Sequence, residues 1–224
     1  MLVIGKAHTA LDMLSKILAG ADGIKITAET SADGKVYVHP GPEIHRLPGE
    51  EVEKLTLPNG QRPIPLRDAC LIVPQGKYFL VEVDRGKPVE DIAKCVKTYT
   101  RGKVYFVSKH EDILQHLKEA TRCKRLILKL DDTRGNDTEE RLVENDFITG
   151  VIVPVDYLPR LGIEEFVRRL DYLGDFVDKV FIEANTPEAD DIFYQYGVVD
   201  SIIEYADGVI VENPRELLRI LSNL

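Results

Sequence analysis

A chain of 224 residues and 25.2 kDa, 44% hydrophobic and 30% charged, is long enough to bury a core and too apolar to stay disordered. Its 29 basic and 38 acidic residues leave a formal charge of -9, which disfavours a nucleic-acid backbone or an anionic membrane as partner, so any anionic ligand must be small and held by local positive groups. The uncharged apolar stretches fall far short of the ~20 residues a membrane-spanning helix needs. The opening MLVIGKAHTA lacks the basic, apolar and small-residue regions of a secretion signal, so a cytoplasmic location is expected. Cys70, Cys95 and Cys123 are odd in number and widely spaced, which reads as reduced thiols rather than a disulfide or zinc framework.

In chain order, runs rich in Val, Ile and aromatic residues fall at 2–7, 23–29, 78–84, 103–108, 125–130, 150–155, 179–184 and 208–213. They are continuous rather than alternating, the pattern of strands in a parallel sheet with both faces covered. The intervening segments have helical spacing. Ala10–Ala19 carries Leu11, Leu14 and Leu18, and Val89–Tyr99 carries Val89, Ile92, Ala93 and Val96. Ser108 and Glu111 have capping-box spacing, while Pro187 and Pro214 follow Thr186 and Asn213 as first-turn prolines behind a cap. Residues 31–40 read as an Asp33-Gly34 turn and a short strand extending strand two as a hairpin, and the proline-rich stretch 41–65 as an irregular excursion over the open end. Eight β-then-α units of about 28 residues each predict an α/β fold, a (β/α)8 TIM barrel with a short hairpin and loop insertion after strand two, as one domain over 1–224.

An ionisable residue inside an enclosed strand is costly unless it lies at the C-terminal end, where barrel active sites are built. Side chains alternate along a strand, so Lys25, Thr27 and Glu29 share one side of strand two, and Glu82 and Asp84 one side of strand three. Lys6, Lys129, Glu183 and Glu212 sit late in strands one, five, seven and eight, and His39 ends the hairpin. Glu29, Lys129, Glu183 and Glu212 read first as solvated rim charges or self-compensating ion pairs, and alternatively as site residues. Lys25 and Glu82, deeper in adjacent strands, read as site residues that pair with each other. His8 faces the mouth or is a solvated loop residue. His45 and Arg46 lie on the excursion, where they could meet an anionic substrate, and His110 and His116 are assigned to an outer helix. No glycine-rich nucleotide loop and no aromatic-interleaved basic stripe is present.

The block GADGIKITAETSADGKVYVHP at 20–40 resembles the GADGIELDVQ-TKDG-VVLHD block of glycerophosphodiester phosphodiesterases. IPLRDA at 64–69, FLVEVD at 79–84, VYFVSKHEDILQHLKE at 104–119, ANTPEADD at 184–191 and YADGVIVENPRELLRIL at 205–221 resemble later segments of that family in the same order. The resemblance implies a (β/α)8 barrel with a small insertion near strand two. In that family a divalent cation sits on the Glu and Asp of GIELD and the Glu of EIK, and two histidines act as acid and base. Here the first two ligand positions are Lys25 and Thr27, and Glu82 alone matches. The first histidine and the phosphate-binding arginine align with Lys6 and Ala7, with His8 one residue further. His39 matches the second histidine, Pro40 stands where the family has Asp, Asp84 stands for the lysine of EIK, and Ile182 for a ligand-stacking tryptophan.

The expected function is that of a glycerophosphodiester-phosphodiesterase-like protein that binds, and where active hydrolyses, a small phosphodiester such as a glycerophospholipid head group. His39 and Lys6 are its expected catalytic residues, and Lys25, Glu82, Asp84, Glu29 and His8 its ligand-binding residues. No cofactor is expected, with Lys25 standing where the cation would. A magnesium or calcium ion enters only through a rebuilt site of Glu29, Glu82, Asp84 and His39. The alternative is a catalytically inactive barrel acting as a binding or interaction protein.

Overall fold

The computed structural model describes residues 1–39, 42–57, 60–84, 89–131, 138–195 and 197–223. Its strands are β1 (Leu2–Lys6), β2 (Gly23–Thr30), β3 (Val36–Val38), β4 (Ile64–Pro65), β5 (Tyr78–Val83), β6 (Lys103–Ser108), β7 (Leu126–Lys129), β8 (Gly150–Pro154), β9 (Lys179–Glu183) and β10 (Gly208–Val211). β1 pairs with both β2 and β10, and β2 continues through β5, β6, β7, β8 and β9 back to β10, every pairing parallel. The sheet is thus a closed eight-stranded barrel with helices outside, as the eight apolar runs predict. β3 and β4 attach antiparallel to the far end of β2.

Strand alternation sorts the core into two sets. One set, including Val3, Ile24, Ile26, Val81, Leu128, Val153, Ile182 and Val209, packs outward under the helices. The other fills the barrel: Ile4, Leu80, Val107, Ile127, Ile152, Phe181 and Ile210 form its waist. At the N-terminal end Tyr78 stacks on Tyr105 with centroids 5.8 Å apart, Lys103 lies 5.0 Å over the Tyr78 ring, and Lys179 pairs with Asp207. This end is plugged, and the charged layer above the waist opens at the C-terminal end.

Gly23 shows how tightly the plug is built. A Cβ there would lie 2.5 Å from both Cβ and the carbonyl oxygen of Tyr78, its register partner. Because those atoms belong to a neighbouring strand and cannot swing away, Gly23→Ala is expected to cost ~1–3 kcal/mol as overpacking. A lowered urea midpoint at unchanged slope is the readout.

Three local expectations change. Helix Glu111–Thr121 starts at Glu111, and Ser108 closes β6 with its hydroxyl accepting from His110 N (3.2 Å), so the predicted capping box does not form and His110 lies on the loop at the mouth. Asn213 does not cap helix Pro214–Leu221 through its side chain; the buried Asp190 carboxylate accepts from Glu212 N (3.2 Å) and Asn213 N (2.9 Å) instead. The described part of the excursion is ordered into a 3-10 turn at Pro42–Arg46 and a helical turn at Gly49–Val52, with Tyr37, Ile44 and Val52 as their own small core. Pro40 and Pro58 lie outside the described residues. Among the described residues no helix is long and apolar enough to cross a membrane.

Candidate site at the barrel mouth

Inward positions of five strands converge above the apolar waist: Lys6, Glu82, Lys129 and Glu183 at the ends of β1, β5, β7 and β9, and Lys25 midway along β2. Lys25 is at the centre. Its ammonium group donates to Glu183 Oε1 at 2.7 Å and pairs with Glu82 Oε2. Lys129 lies 2.9 Å from Glu183 Oε2 and 3.4 Å from Glu82 Oε2. Lys6 is looser, at 3.6 Å from Glu183 and 3.4 Å from Glu212, and donates to the carbonyls of Ala184 (3.0 Å) and Asn185 (3.3 Å).

Removing a charge from water costs several kcal/mol even after relaxation, and the Glu183 side chain is 0% exposed and that of Lys25 3%. Only close opposite charge makes such burial tolerable. Burial alone would push the Glu183 carboxyl up, but Lys25, Lys129 and Lys6 override it and hold it at about 2. Glu82 moves the same way: burial opposes, and Lys25 with Lys129 lowers it. Burial likewise disfavours the charged Lys25, and Glu183 and Glu82 more than compensate, raising it. Lys129 is lowered, first by burial and then by the Lys25 ammonium beside it.

A second tier joins β1 and β10 to the first helix. Helix Ala10–Leu18 is capped by Thr9, whose hydroxyl accepts from Asp12 N, while the Asp12 carboxylate accepts from His8 N (3.1 Å). Lys16 on the same helix pairs with Asp12 (2.8 Å), donates to the Lys6 carbonyl and lies 3.7 Å from Glu212. Its chain crosses Gly5, where a Cβ would meet Lys16 Cδ at 2.8 Å, so any larger residue would displace it. His8 Nε2 lies 3.8 Å from Glu212 Oε1. Burial opposes ionisation of Glu212, yet the nearby His8 and the charges of Lys6 and Lys16 hold it at about 2.

The structure therefore brings Lys6, Lys25 and Glu82 together, with His8 on the adjoining tier. Glu29 is buried further along β2, and His39 is buried just beyond β3, its backbone N donating to the Thr27 carbonyl at 3.1 Å. Asp84 is different. β5 ends at Val83, so alternation no longer governs it, and Asp84 is largely exposed and 3.2 Å from His110 Nε2. Glu29, Glu82, Asp84 and His39 thus do not assemble into the rebuilt metal set, because Glu82 is taken up by two lysines and Asp84 turns aside. His45 and Arg46 are exposed, and Ile182 packs outward beneath the helices, away from the mouth. Sequence reasoning underrated Glu183 and Lys129; the signal was that each ends an inward series continuing Phe181 and Ile127.

The divalent cation that the resemblance implies does not fit these residues. An ammonium group already bridges Glu82 and Glu183, and Thr27 offers a hydroxyl where a hard cation needs carboxylates.

No protein-family model and no curated protein matches the sequence. Solved structures do match. A glycerophosphodiester phosphodiesterase from Thermotoga maritima superposes with a TM-score of 0.73 at 21% identity, over 99% of this chain and 98% of that one. One from Parabacteroides distasonis gives 0.72 at 16% identity over 99% and 97%. A phosphodiesterase from Oleispira antarctica, solved with its product sn-glycerol-3-phosphate, gives 0.70 at 16% over 99% and 97%. The chain has the barrel fold of the glycerophosphodiester phosphodiesterases along nearly its whole length.

Proposed function

We propose that the barrel mouth binds a small phosphate ester of the glycerophosphodiester class, with lysine ammonium groups in place of a divalent cation. The observation that carries this reading is the buried Lys25 between Glu82 and Glu183, with Lys6 loosely held at the edge of the same cluster. Lys6 donates to the Ala184 and Asn185 carbonyls and holds two ion pairs of 3.4 to 3.6 Å, so a phosphate oxygen would bind by taking the place of one of these longer contacts. It projects between the ends of the seventh and eighth barrel strands, β9 and β10, where barrels commonly place phosphate near helix N-termini. The carboxylates around it suit a ligand that also carries a cationic group, such as a choline or ethanolamine ester. Glu29 and His8 would line the ligand's approach. Hydrolysis in this site would use His39 as the proton-transfer group at neutral pH and Lys6 to stabilise charge on the phosphate.

Calorimetric titration in the presence of a chelator tests the binding. Glycerol phosphate and glycerophosphocholine should bind, choline alone should not, and Lys6→Ala should weaken binding about tenfold or more, the worth of a charge-assisted hydrogen bond. Absence of binding at millimolar ligand, or equal binding by Lys6→Ala, would overturn the reading. Release of choline from glycerophosphocholine under the same conditions separates a hydrolase from a binding barrel.

A further inference from the structure

Helix Ala10–Leu18 is amphipathic in the reverse sense. Its two charged residues, Asp12 and Lys16, pair with each other against the barrel, and Met13 is buried beside them. The leucines that helical spacing would assign to the core point outward: Leu11 is 62% exposed, Leu14 44% and Leu18 85%. The one other exposed residue within the helix, Ser15, is also uncharged. In a chain that is 30% charged, a solvated helix face without a charge runs against the usual pattern. The helix Leu66–Ile72, in contact with it, carries a further exposed leucine, Leu71 (55%), on the same helix as the exposed Arg67 and Asp68.

The intervals of three and then four residues, 11 to 14 to 18, are those of a coiled-coil seam, in which leucines of one helix enter holes of another. The face thus fits a helix of its own kind. Its neutrality makes it self-complementary, because two copies can meet there without opposing charges although each carries -9. A twofold axis that sets the helix against its symmetry mate satisfies both faces at once. An anionic membrane is the poorer occupant, because an interfacial helix relies on basic residues flanking its apolar stripe, and the exposed residues of this helix carry none. From this we infer that the protein is a homodimer joined through the outer leucines of helix Ala10–Leu18, with Leu71 at the margin. The exposed leucines would form the apolar centre of that interface, which in a stable homodimer buries ~800 Å² per partner. The inward face of the same helix holds His8 N, the Lys6 carbonyl and Glu212, so the interface would also fix the rim of the mouth.

Sedimentation velocity over micromolar to submillimolar concentrations tests this, with Leu14→Lys plus Leu18→Lys as the variant. Both positions are exposed, so the variant should fold, and an unchanged circular dichroism spectrum checks it. Wild type should sediment as a dimer and the variant as a monomer at every concentration. A bifunctional maleimide should join Ser15→Cys into a covalent dimer and leave wild type, with Cys70, Cys95 and Cys123, uncrosslinked. A monomeric wild type, or a variant that stays dimeric, overturns the proposal, as does a monomer that co-sediments with anionic phospholipid vesicles.

Discussion

Replacing Lys25 by methionine is expected to lower the free energy of unfolding by ~3–5 kcal/mol, the usual loss when one partner of a buried ion pair is removed. Methionine matches the lysine chain in bulk, so little of that loss comes from a cavity. It comes from stranding two carboxylates, since Glu183 is enclosed and keeps only Lys129 and the more distant Lys6, while Glu82 keeps Lys129 at 3.4 Å. Lys25→Met combined with Glu82→Gln should recover part of the loss, because the neutral amide no longer demands a counter-charge. Urea unfolding of the two single variants and the double variant measures the coupling. Strict additivity would mean that the ammonium and the carboxylate do not act as a unit.

Acid should unfold the protein through the same cluster, and the sign follows from the direction of the shifts. The Glu183 carboxyl is held at about 2 in the fold against 4.5 for the unfolded chain. Its stabilisation is fully present above pH 4.5 and disappears as the pH falls toward 2. At Glu183 the difference is on the order of 3 kcal/mol. Glu212 shifts in the same direction but is partly exposed, so screening reduces its share. Thermal midpoints taken from pH 7 down to pH 2 should therefore fall most steeply below pH 4.5. In Glu183→Gln that slope should flatten, whatever the variant's stability at neutral pH. An equally steep fall in the variant would remove Glu183 from the account.

The strands were legible because burial on both faces, under the helices and inside the barrel, makes each a continuous apolar run, and the two ends of helix Val89–Tyr99 fall where the periodicity puts them. Position within a strand also identified Lys25 and Glu82 as partners. Three things were not legible. Which carboxylate would cap the far side of Lys25 depends on the stagger between β2 and β9, which do not pair directly, and no local pattern carries it. Asp84 was placed with Glu82 by alternation, and alternation stops where the strand does. Leu11, Leu14 and Leu18 have the spacing of a core face, but spacing cannot say which way a stripe points, and here the paired Asp12 and Lys16 take the inward side.

The charged layer also bears on how the chain folds. Lys6 comes from the first strand and Glu212 from just after the last, so their contact exists only once β1 has paired with β10. Lys25, Glu82, Lys129 and Glu183 likewise span four strands separated by up to 158 residues. Contacts of such sequence separation form late, because loop closure must precede them. Interactions absent from the folding transition state act mainly on the rate of unfolding. The cluster is therefore a latch on the closed barrel, slowing its opening while contributing little to the speed at which it forms.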